Sequence, residues 1–111
     1  VRAETFGAIK LFTCAALMVC VIASAGATDD AGRQVFLKDA TPSCAICHTL
    51  AEAGATGKIG PSLDELKPDA PRVVQAVKAG IGAMPPYPQL SESQIQAIAS
   101  YVARASGGAA K

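Results

Sequence analysis

Residues 44 to 48 read Cys-Ala-Ile-Cys-His, and this pentapeptide constrains the chain more than any other part of it. On a helix, positions i, i+3 and i+4 share one face. Cys44, Cys47 and His48 would therefore present two thiols and one imidazole together. This is the attachment signature of c-type haem. The two sulfurs can reach the two vinyl groups of one porphyrin as thioethers, and His48 can offer a ring nitrogen to the iron from the same side. His48 is the only histidine of the chain, so no second imidazole competes for that place. The rival readings fit less well. A structural zinc site needs about four Cys or His ligands, and beyond the N-terminal segment only these three qualify. A thioredoxin-like pair would sit in a βαβ pattern, and the sequence offers no convincing strand. A plain disulfide leaves His48 without a role.

The N-terminal segment reads as an export signal. Arg2 and Lys10 flank a short polar start, Leu11 to Ala25 is nearly all apolar, and small residues follow at Ala23-Ser24-Ala25 and Ala25-Gly26-Ala27. Charged start, apolar middle and small-residue cleavage site form the order of a secretory signal. Cleavage is expected after Ala27, with Ala25 as the second choice. An uncleaved anchor is the alternative, but the apolar run lies at the short edge of the about 17–25 residues a span requires. Residues 1–27 are thus expected to leave, and residues 28–111 to form the working domain in the periplasm. Cys14, Cys20 and Met18 would depart with the signal. The two motif cysteines and Met84 would then be the sulfur-bearing residues that remain.

A chain of 111 residues is one domain at most. Its formal charge of +1 argues against a nucleic-acid footprint or an acidic tail. Removing the signal leaves eight basic and eight acidic residues, a neutral domain without a single-signed field for steering partners. Three Phe, two Tyr and no Trp stand against ten Gly and seven Pro. A small domain so composed buries little of its own surface, and a covalently held porphyrin would act as its largest apolar core piece.

The pattern beyond the signal is helices joined by Gly/Pro loops. A first helix is expected over roughly Asp30 to Lys38, capped by Thr28 or Asp29. A short helix after Pro42 carries the Cys-His motif, and a Gly-rich stretch spans Gly54 to Gly60. Ser62 to Leu66 suits one helical turn. Asp69 caps a better-defined helix with Pro71 in its first turn and Gly80 at its end. Met84-Pro85-Pro86-Tyr87-Pro88 cannot be helical, because proline lacks the donor and biases the residue before it to extended backbone. Ser91-Glu92-Ser93-Gln94 is a capping box, with Leu90 and Ile95 placed as a hydrophobic staple. Ile95, Ile98 and Val102 mark the buried stripe of the last helix. Gly107 and Gly108 end it, and the tail to Lys111 is expected to be loose.

With these residues in place, the chain resembles the class I c-type cytochromes over nearly all of Asp30 to Ala105. Gly32 and Phe36 resemble the Gly-x-x-x-aromatic pair of that family's N-terminal helix, and Tyr101 the aromatic residue of its C-terminal helix. Gly60-Pro61-Ser62-Leu63 resembles the family's Gly-Pro-x-Leu, and Met84-Pro85 its distal ligand and following proline. The resemblance implies an all-α fold, with helices packed around one covalent haem c. It implies cofactor contacts from Cys44, Cys47, His48, Pro61 and Met84, with His48 and Met84 on the iron. Pro61, otherwise a simple turn residue, would accept a hydrogen bond from His48 and fix its orientation. The stretch from Cys47 to Leu63 and the Gly-Ala-Met-Pro segment resemble small cytochromes that accept electrons from periplasmic molybdenum sulfite dehydrogenases.

Methionine is most often core filler, but Met84 lies in a loop stiffened by prolines and is the one soft neutral sulfur left for a sixth ligand. His/Met ligation leaves no open position and raises the potential. The expected function is then one-electron transfer, not enzymatic turnover. A dehydrogenase would be the donor and a terminal oxidase or another cytochrome the acceptor. The porphyrin edge near Ala45 and Ile46 would be the exit. A haem enzyme or gas sensor with an open distal site is the alternative, and it requires that Met84 not ligate. Lys38, Lys58, Lys67, Arg72 and Lys78 read as ordinary solvated surface.

Overall fold

The computed structural model describes residues 25–110. Most of the expected export signal, residues 1–24, lies outside the described residues. Among the described residues no helix is long and apolar enough to cross a membrane.

The architecture is set by the crossing of the first and last helices. Helix α1 spans Ala25–Gln34 and winds on through a wider, π-type turn over Val35–Asp39. The Ala40 amide closes that turn on the Val35 carbonyl at 3.0 Å. Thr28 and Asp29, expected as caps, instead lie inside α1. The Asp29 carboxylate finds a cation across the crossing, accepting from Arg104 Nε at 2.7 Å. The last helix, α5, spans Glu92–Ser106. At the crossing, Gly32 is buried, and a Cβ there would fall on Tyr101 Cβ and on the Ala97 carbonyl. Only a glycine lets the backbones approach so closely. One turn on, Phe36 meets Tyr101 edge-on with ring centroids 6.1 Å apart, and both rings are fully buried. The Tyr101 hydroxyl donates to the Glu52 carboxylate. Burial first, and then that bond, pushes its pKa upward.

Between these helices the chain builds the site. Helix α2, Cys44–Cys47, starts at Ser43, whose Oγ accepts from the Ala45 amide at 3.3 Å and donates to the Phe36 carbonyl at 3.1 Å. A small antiparallel hairpin follows, β1 (Thr49–Leu50) and β2 (Ala55–Thr56), with Thr49 opposite Thr56 and Leu50 opposite Ala55. This corrects the expectation of no strand. Two residues per strand are too few for alternation to register in a sequence. Helix α3, Leu63–Leu66, is the expected single turn. Helix α4, Ala70–Ala79, is capped by Asp69, whose carboxylate accepts from the Arg72 amide at 3.0 Å. It buries Val77 and packs Val73 and Val74 against the core.

The capping box of α5 forms in full. The Ser91 hydroxyl accepts from the Gln94 amide at 3.2 Å, and the Gln94 side chain accepts from the Ser91 amide at 2.8 Å. Leu90 and Ile95 are both buried, as a staple requires. Ser91→Ala is expected to lower stability by about 1 kcal/mol, read as a shifted urea midpoint with unchanged slope. The tail is not loose up to Ala110. Gly107 ends α5, Gly108 is buried against the Pro68 carbonyl, and Gly108–Ala110 form a 3-10 turn.

Candidate haem site

The short helix α2 brings the motif together much as its spacing implied, with one refinement. His48 stands just past the helix end in extended backbone, its amide donating to the Cys44 carbonyl at 3.0 Å. Cys44 and Cys47 are both free thiols. Cys44 is buried, and burial pushes its thiol up to about 11. It is therefore a neutral thiol, and conversion to a neutral thioether meets no electrostatic penalty from that burial. Among the described residues no three His, Cys, Asp or Glu side chains converge as a metal cluster.

The imidazole of His48 is oriented from behind. Its Nδ1 lies 2.7 Å from the Pro61 carbonyl. A carbonyl can only accept, so Nδ1 carries the proton and Nε2 keeps its lone pair for a metal. Gly60 makes this possible. Its amide donates to the Cys47 carbonyl at 2.7 Å, and a Cβ there would stand 2.6 Å from His48 Cε1. Sequence reasoning gave Gly60 no role beyond its place beside Pro61. Only the packing reveals that the ring needs its missing side chain.

His48, Cys44 and Pro61 share one cleft of about 480 Å³ with Met84. Apolar walls come from Phe36, Leu63, Val77, Ile98 and Val102, contributed by the π-type turn after α1 and by α3, α4 and α5. Arg72 and Gln75 of α4 stand at the cleft's rim, and both are exposed, as expected of the Arg72 surface cation. Lys78 instead pairs with Glu92 at 2.9 Å on the surface, and that bond holds the Glu92 carboxyl below its usual range. Cys47 is half-buried on the same helix but does not line the cleft. Met84 is held by a tight turn. The Ile81 amide donates to the Met84 carbonyl at 3.0 Å, and the Met84 amide returns a bond to the Ile81 carbonyl at 2.9 Å.

The donor set is one imidazole with a bare Nε2, one thioether and two thiols, beside an apolar cleft. These residues fit haem, and a helical fold built around them defines a small monohaem class I c-type cytochrome. The chain belongs to the family described as cytochrome c oxidase, cbb3-type, subunit III, whose model matches residues 27–102. Among solved structures, it is similar to the c-type cytochrome SorU from Sinorhizobium meliloti. The identity is 50%, the match covers 74% of this chain and 94% of that one, and the TM-score is 0.72. A comparison with curated proteins finds no match. Covalently bound haem c and an electron-carrier function follow from this membership.

Proposed function

We propose that this protein is a periplasmic one-electron carrier whose haem c is attached through Cys44 and Cys47 and ligated by His48 and Met84. Its residues 1–27 would serve as the export signal, and residues 28–111 as the monohaem domain. One observation carries the reading: His48, oriented by Pro61, and Met84 line the same apolar cleft beside Cys44. The haem, when bound, supplies a one-electron iron couple. The chain's own residues determine how that couple behaves. Pro61 holds the His48 ring and raises its basicity. The thioether of Met84 favours the reduced state. Phe36, Leu63, Val77, Ile98 and Val102 give the cleft apolar walls, and low polarity there also favours the state of lower charge.

Were His48 and Met84 both to bind the haem iron, no position would be left for a substrate, and the protein would transfer electrons without being an enzyme itself. A periplasmic dehydrogenase is the donor and a terminal oxidase or another cytochrome the acceptor. The resemblance of residues 47–63 and of Gly82-Ala83-Met84-Pro85 to sulfite-linked cytochromes favours a molybdenum sulfite dehydrogenase as that donor.

Met84→Ala tests the reading. The ferric wild type is expected to show the weak long-wavelength charge-transfer band of methionine–iron ligation. The substitution should abolish it, lower the potential and let the ferrous protein bind carbon monoxide. Rapid carbon monoxide binding by the wild type would instead support the open-site enzyme or sensor.

A further inference from the structure

We propose that Tyr87 is a positioning residue for the axial methionine, clasping the Met84 loop to the segment that leads into Cys44. This rests on the reading of Met84 as the sixth ligand. The need for such a clasp is written in the loop's composition. Pro85, Pro86 and Pro88 carry no N–H, so Tyr87 holds the only backbone donor between Met84 and Gln89. That donor is used on helix α4, where the Tyr87 amide reaches the Val77 carbonyl at 2.9 Å. The side chain then turns the other way. Its ring is buried, and its hydroxyl donates to the Pro42 carbonyl at 2.8 Å, 45 residues away in sequence. Gln89 adds a parallel bond from Nε2 to the Thr41 carbonyl at 3.0 Å.

Pro42 stands two residues before Cys44. A single buried side chain thus joins the loop that carries the methionine to the segment that feeds the cysteine–histidine helix. The two axial ligands come from these two segments, so their relative placement depends on what ties the segments together. The Tyr87 phenol is protonated at neutral pH at its ordinary pKa and so donates, and burial pushes it further up, to about 12. An incoming ligand can replace Met84 only if the loop moves, and moving it breaks the bond to Pro42.

The test is an imidazole titration of the ferric holoprotein, followed by loss of the methionine–iron band. Tyr87→Phe keeps the ring and removes only the hydroxyl. It is expected to bind imidazole about three- to tenfold more tightly than the wild type, the effect of one lost hydrogen bond. Tyr101→Phe makes the same chemical change away from the loop, at the bond to Glu52. It should lower the melting temperature and leave imidazole affinity unchanged. Wild-type affinity in Tyr87→Phe would overturn the clasp, as would an equal gain in Tyr101→Phe, which would reduce the effect to general stability. If Tyr87→Phe fails to accumulate, Gln89→Ala, at an exposed position, is expected to tighten imidazole about twofold, and no change there overturns the proposal. A wild type without the methionine–iron band would instead remove the ligation reading, and the clasp with it.

Discussion

The double substitution Cys44→Ala/Cys47→Ala is expected to yield a protein without bound haem and with most of its helix lost. In the wild type the haem should stay with the polypeptide through denaturation and acid–acetone extraction, because thioether bonds survive both. Each single substitution should weaken attachment. The folding consequence follows from the cleft. Phe36, Leu63, Val77, Ile98 and Val102, supplied by four helices, all face a space of about 480 Å³. A porphyrin seated there would be the largest apolar piece of a small domain, whose whole stability is typically only about 5–15 kcal/mol. Far-UV circular dichroism of the haem-free variant should therefore report far less helix than the holoprotein. Native-like helicity with a cooperative melt would refute the dependence, and complete extraction of haem from the wild type would refute covalent attachment through these thiols.

The second large effect is expected at Gly32. Gly32→Ala gains about 1 kcal/mol of helix propensity but places a Cβ on the Ala97 carbonyl and on Tyr101 Cβ. A backbone carbonyl cannot step aside by changing rotamer, so α1 and α5 must separate. Overpacking of this kind costs about 1–3 kcal/mol and sometimes more, which outweighs the propensity gain. Gly32→Val adds two methyl groups to the same clash and should cost more. For a domain of this size, each kcal/mol lowers the melting temperature by about 4–8 °C, so Gly32→Val is expected to lose roughly 15 °C or more. The separation also loosens the Phe36–Tyr101 contact, and Phe36 is a wall of the cleft. Near-ultraviolet dichroism should report that change alongside the melt. An unaltered melting temperature in Gly32→Val would mean that α1 and α5 do not make the close crossing.

Much of this could be read along the chain because the signals are local. The Asp69 and Ser91 caps act on amides three residues away, so their sequence patterns name both partners. The prolines after Met84 exclude helix by their own covalent structure. Expectations missed where the partner lies far away in sequence. Asp29 has the chemistry of a cap but is bound by Arg104, 75 residues on. The tail after Gly107 looks loose in composition, yet Gly108 lies against Pro68.

The sequence by itself determined the donor set we propose for attachment, since two thiols and the sole imidazole lie within five residues, and covalent spacing fixes how far apart they can be. It also determined the helix ends and the non-helical character of residues 84–88, all set by interactions within a few residues. Tertiary structure alone decided what lies beside that chemistry. It placed Gly60 behind the imidazole, brought Met84 to the cleft that His48 lines, and set the Tyr87 hydroxyl on Pro42. Each of these depends on where remote segments meet, which has no counterpart in any short stretch of residues.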